Sequence, residues 1–228
     1  MFRIVPALTT AVVLSVALSS CGDDDGATPT TPGPLATAPG TGTALPTSVP
    51  APGFGTGNTA PLTNDQQTFS GTLAEAGNAG DAITYDGDAA PVGAEIGLVV
   101  EARPDDTTFV LSVSGLQPDR GYAVHAHVNP CGPTGEVAGP HFQHMPDPAA
   151  TPEQPSSDPE YANPDNEVWL DLTTDADGSG EATATVPFTL EAGAPQSIVI
   201  HAAEKTMTDP GEAGSAGDRI ACITTPLG

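Results

Sequence analysis

The stretch 107-TTFVLSVSGL-116 alternates, with Phe109, Leu111 and Val113 on one side of an extended chain. A period of two bounded by turn residues argues a strand with one buried face. The same period returns in 181-EATATVPFTL-190, where Ala182, Ala184, Val186, Phe188 and Leu190 share a side after the turn sequence TDADGSG. ITY near 83, AEIGLVVEA near 94, EVWLDL near 167, QSIVIHA near 196 and RIACITT near 219 supply further strand candidates, and no segment sustains a 3.6-residue apolar period. Short alternating runs separated by Gly, Pro, Asp and Asn predict an all-β domain over 66–228, a Greek-key β-sandwich or barrel of about eight antiparallel strands. Residues 66–93 either add an edge strand or continue what precedes them. The stretch from Asn129 to Asn166 has no strand pattern, and a loop of that length in a compact domain marks a functional segment.

The start of the chain reads differently. Residues 1–20 carry one arginine and then an apolar run too short for a membrane span, which predicts an export signal. Leu18-Ser19-Ser20-Cys21 is similar to the bacterial lipobox, and that resemblance implies cleavage before Cys21 and a diacylglyceryl thioether on its sulfur. Residues 21–65, dominated by Pro, Gly, Ala and Thr, bury too little apolar surface to offset their ordering entropy and are expected to form a disordered spacer. The expected location is therefore outside the cytoplasm, with the mature chain held to the cell membrane through its lipid anchor.

Twenty-nine acids against five basic residues give a net charge of -24. Such a balance argues against a nucleic-acid partner and against electrostatic docking to anionic lipid. With Cys21 lipidated, Cys131 and Cys222 remain as a pair in an oxidising compartment, where a disulfide can form; two buried thiols are the alternative.

Four of the five histidines lie within residues 125–144. In 120-RGYAVHAHVN-129 the strand period places Tyr122, Val124, Ala126 and Val128 on one face and Ala123, His125 and His127 on the other. Two imidazoles two residues apart on a strand can grip one metal, although the pattern also fits ordinary surface histidines. His141 after a Gly-Pro turn and His201 at the end of QSIVIHA raise the count of nitrogen donors to four. Four neutral imidazoles suit copper or zinc, and a near-planar set suits Cu(II).

HAH, then a cysteine, then AGPHF, then VIHA, then GSAGDRIAC, in that order over roughly residues 94–228, resemble the copper-zinc superoxide dismutases. The resemblance implies copper held by His125, His127 and His201, with His141 as the imidazole that in the family bridges copper and zinc. It further implies a Cys131–Cys222 disulfide and places Arg219 beside the copper, where its permanent charge attracts superoxide; Lys205 is a second cation on the approach. The pairing of Arg219 with Asp218 or Glu212 as a surface ion pair is the competing expectation.

The pattern breaks at the zinc site. Only His144 remains, three residues after His141, and NEVWLDL offers Glu167 and Asp171 where the family has a histidine and an aspartate. Zinc is either absent or held by a rebuilt set of His141, His144 and Asp171, with Glu167 or water to complete it, and a copper-only enzyme is the expectation. The segment AAEKTMTD after His201 also lacks a clear match to the aspartate that in the family orients the ligands, leaving Glu204 or Asp209 as candidate acceptors.

The expected function is an extracytoplasmic superoxide dismutase converting superoxide to dioxygen and hydrogen peroxide by copper redox cycling. The rival is a copper-binding lipoprotein that stores or delivers the metal with little turnover. No interface patch is legible, so the oligomeric state stays open.

Overall fold

The computed structural model describes residues 66–78, 80–151, 153–190 and 194–227, all in one compact unit. The expected signal and spacer, with Cys21, lie outside the described residues. In chain order the strands are β1 (Gln66–Thr72), β2 (Ala74–Glu75), β3 (Ala82–Thr84), β4 (Glu95–Ala102), β5 (Thr107–Ser114) and β6 (Gly121–Tyr122). There follow β7 (Val124–His127), β8 (Leu172–Thr173), β9 (Gly180–Val186), β10 (Ser197–His201) and β11 (Arg219–Thr224). The only regular helix among the described residues is a single 3-10 turn at Gly135–Ala138, and no helix among them is long and apolar enough to cross a membrane.

One sheet has the antiparallel order β1-β4-β5-β9. Its register converts the alternation of the sequence into a layer: Leu98 lies between Phe69 and Leu111, and Phe109 between Val100 and Ala184. All but the partly buried Ala184 are buried in one core cluster with Ile96 and Val113. The opposite face carries Thr108 and Thr185, whose hydroxyls meet at 3.0 Å in solvent. The open question over residues 66–93 is settled here, because β1 adds the edge strand, paired with β4 along its whole length.

The second sheet has the order β2-β3-β11-β10-β7, antiparallel except for the β2–β3 pair. Every residue of β7 and β10 is buried, so both faces are covered. Ile198, Ile200, Val124 and Ala126 enter the core between the sheets, whereas Val199 and Cys222 pack with Ala138 and Cys131 on the outer side. What covers that outer side is the long segment after β7. It folds back by single bridges, His127 to His141, Gln143 to Glu167 and His125 to Trp169, rather than by extended strands. A disulfide joins Cys131 in this segment to Cys222 in β11, closing a separation of 91 residues. By chain entropy such a loop stabilises by about 4 kcal/mol. A short β6-β8 pair completes the sandwich.

Candidate metal centre

In β7 and β10, positions 125, 127, 197 and 199 share the outer face, since Ser197 opposes His127 and Val199 opposes His125. A register shift after Ile200 sets His201 opposite Arg219. His141 is delivered by the returning segment, where Phe142 N–H donates to Ala126 O. The four imidazoles converge, with one nitrogen from each lying within 4.8 Å of the others. His125 and His127 are fully buried and His201 is 3% exposed.

Hydrogen bonds on the far side of each ring fix which nitrogen faces the centre. His127 Nδ1–H donates to Gly139 O at 2.9 Å and His201 Nδ1–H to Gly217 O at 3.2 Å. Carbonyls only accept, so each ring carries its proton on Nδ1 and turns a bare Nε2 inward. Those two Nε2 atoms are 3.2 Å apart, a repulsive pair of lone pairs unless a cation lies against both. His125 has the reverse orientation: Nε2 meets the Thr206 hydroxyl at 2.6 Å, and Nδ1 is buried with no hydrogen-bond partner. His141 Nδ1–H donates to Glu167 Oε2 at 2.9 Å, which leaves its Nε2 for the centre.

Burial, reinforced by the neighbouring imidazoles, pushes His125 and His127 well below the ordinary histidine range. Burial also lowers His201, to about 3. The centre thus excludes protons and presents bare nitrogens, which is the donor set that copper prefers. Copper fits these residues.

Two glycines make the geometry possible. Gly139, at φ 74°, aims its carbonyl at His127, and a Cβ there would come within 2.6 Å of the Asn129 side chain. Gly214, at φ 78°, lies against the His141–Glu167 pair, where a Cβ would stand 3.7 Å from Nδ1 and 3.9 Å from Oε2.

Glu167 is buried and fully engaged. Besides His141 it accepts Trp169 Nε1–H at 2.7 Å and a Gln143 side-chain N–H at 2.8 Å. Glu204 and Asp209, the candidate acceptors from sequence, are exposed, so a carboxylate from NEVWLDL takes the ring-holding place for His141 instead. Lys205 is exposed as well.

The rebuilt zinc set does not come together. The His144 ring stacks on Phe188 with centroids 4.4 Å apart, and Asp171 spends its oxygens on Val124 N–H and on the N–H and hydroxyl of Thr206. Among the described residues, the four converging histidines are the one group of three or more such donors.

Arg219 borders a cavity of about 560 Å³ that also reaches His141 and His201. Its Nη1 donates to Gly135 O at 2.8 Å, and among the described residues it forms no ion pair with Asp218 or Glu212. Burial lowers its pKa while Glu136 and Tyr85 act in the other direction; the guanidinium stays charged at neutral pH. The close approach of Gly135, where a Cβ would fall 2.6 Å from Arg219 Cβ, seats the arginine against the loop that the disulfide ties down.

Sequence reading left Trp169, Gln143 and Thr206 unassigned. A signal was present for Trp169 alone: Glu167, Trp169 and Asp171 alternate along EVWLD and so share a side, the side that meets β7.

No curated protein matches the chain. Among solved structures, a Cu/Zn superoxide dismutase from Brucella abortus is similar at 20% identity over 69% of this chain and 99% of that one, with a TM-score of 0.47. A double mutant of a SOD-like protein from Bacillus subtilis is similar at 21% identity over 58% of this chain and 88% of that one, TM-score 0.40. The family model for copper/zinc superoxide dismutase matches residues 94–224, a span that holds all four converging histidines, both bonded cysteines and Arg219 and exceeds half of the chain. On that match the chain belongs to the copper/zinc superoxide dismutase family.

Proposed function

We propose that this chain is a copper-only superoxide dismutase working outside the cytoplasm, tethered by a lipid on Cys21. The observation that carries the copper-only reading is the hydrogen bond from His141 Nδ1 to Glu167, because it places a buried carboxylate on the imidazole nitrogen that in the family faces zinc. His125 Nδ1 and the Nε2 atoms of His127, His141 and His201 would hold copper. Bound copper would supply a one-electron redox couple, through which two superoxide ions and two protons would become one dioxygen and one hydrogen peroxide.

The protein's own groups do the rest. Arg219, on the cavity wall beside His141 and His201, draws the small anion inward and donates hydrogen bonds to it. A local cation in a cleft focuses an anion even on a molecule whose net charge is -24. His141 turns its Nε2 toward the centre, since Glu167 holds the opposite nitrogen. Gln143 and Trp169 lock that carboxylate so that the ring keeps its direction without a second metal.

Turnover of superoxide by copper-loaded protein, measured against free-copper controls, tests the reading. Activity well above the controls is expected. Stoichiometric copper with negligible turnover would favour a storage or delivery protein. Anchoring is checked by replacing Cys21 with serine, which should release the chain from the membrane fraction.

A further inference from the structure

The segment after His201 carries no aspartate against the copper ligands, yet the His125 ring is held. Its Nε2 lies 2.6 Å from Thr206 Oγ1, and that hydroxyl lies 2.7 Å from Asp171 Oδ1. Asp171 also accepts Thr206 N–H at 2.7 Å on Oδ2 and Val124 N–H at 3.1 Å on Oδ1. The carboxylate therefore grips the backbone on both sides of the ring it serves: Val124 directly precedes His125, and Thr206 faces it.

The direction of these bonds follows from their chemistry. A carboxylate only accepts, so the Thr206 hydroxyl proton points to Asp171. The hydroxyl oxygen then has only lone pairs left, and His125 must donate to it from Nε2–H. That choice of tautomer strips the proton from Nδ1, the buried atom without a partner that faces the other three imidazoles. Deep burial leaves no water-side alternative that would select the same form.

We propose that Thr206 and Asp171 are positioning residues that set the tautomer of His125, so that its Nδ1 is presented bare to the metal. The hydroxyl acts as a relay between the imidazole and a carboxylate that the sequence pattern had suggested for zinc. The proposal rests on the copper reading of the four-histidine centre for its purpose, though not for its geometry.

Nitrogen-15 chemical shifts of the histidines in the metal-free protein read the tautomer directly. Wild type should show His125 as a single Nε2–H form. Thr206→Val keeps the shape and the backbone N–H to Asp171 while removing the relay, and should give a mixed or Nδ1–H ring. Thr206→Ser should restore the wild-type pattern. Copper competition against a chromogenic chelator should show affinity weakened about 10- to 100-fold in the valine variant and recovered in the serine variant. The copper EPR spectrum of the valine variant should change accordingly.

A wild-type ring already in the Nδ1–H form overturns the proposal, and so does a valine variant with unchanged tautomer and affinity. Should the valine variant fail to fold, the wild-type spectrum and the serine variant still decide. A correct tautomer in a protein that binds no copper would defeat the copper reading alone.

Discussion

The two sheets of the sandwich are built from the same kind of strand and put to different uses. In β4, β5 and β9 one face enters the core and the other meets water, so each side chain answers only to packing or to solvation. In β7 and β10 both faces are buried, one by the opposite sheet and one by the returning loop, and the second buried face carries His125 and His127 beside the packed Val199. The centre occupies that second buried layer. A rigid sheet supplies three of its imidazoles, and the disulfide-tied segment supplies the fourth. The comparison teaches that the chemistry sits where the fold can exclude water without spending core volume.

If that division holds, damage to the first sheet should cost stability and leave the centre's properties intact. Phe109→Ala removes a fully buried ring, and urea denaturation should show a loss of about 3–5 kcal/mol. The copper bound per folded chain should not change. Replacing Cys131 and Cys222 by serine strikes the second layer, where a loss of about 2–4 kcal/mol is expected together with a lower kcat/KM, because the loop that seats Arg219 is released. An unchanged kcat/KM in that double variant would uncouple the loop from the arginine.

Acid should separate the two layers. His201 is depressed to about 3 in the folded protein against 6.5 in the unfolded chain, so below pH 6.5 the unfolded state binds more protons than the folded one. Stability of the metal-free protein should therefore be flat above pH 6.5 and fall as pH drops from there toward about 3, by about 1.4 kcal/mol per pH unit for this group. His125 and His127, lowered in the same direction, should steepen the fall. Thermal unfolding followed across pH checks the sign.

Smaller effects remain. Arg219→Ala should lower kcat/KM about tenfold, a barrier change of about 1.4 kcal/mol, with copper retained. Thr108→Ala, which breaks only an exposed hydroxyl pair on the first sheet, should stay within about 0.5 kcal/mol of wild type and leave turnover unaltered.

The legibility of the sequence follows the same division. Alternation in TTFVLSVSGL and EATATVPFTL reads directly as the first sheet, because packing on one face dictates side-chain type at every second residue. Among the described residues eight strands have three residues or more; seven answer to runs read as strands, β1 comes from the stretch left open, and EVWLDL forms only single bridges and part of the two-residue β8. His125, His127, His141 and His201 were legible as donors through the ordered resemblance of HAH, AGPHF, VIHA and GSAGDRIAC, since two imidazoles at strand spacing also fit ordinary surface histidines. What holds those rings was not legible. Glu167 reaches His141 across 26 residues and Asp171 reaches Thr206 across 35, through a segment that follows no regular period. Such contacts depend on the path of the loop, which single bridges and one disulfide determine, and no local pattern encodes it.

Copper and zinc counted per chain by plasma mass spectrometry, after purification from cells supplied with both metals, test the central claim most directly. On the proposed copper-only reading, with four inward nitrogens around one ion and Glu167 on the far nitrogen of His141, one copper and no zinc per chain is expected. One zinc beside the copper, or a chain that holds neither metal, would contradict it.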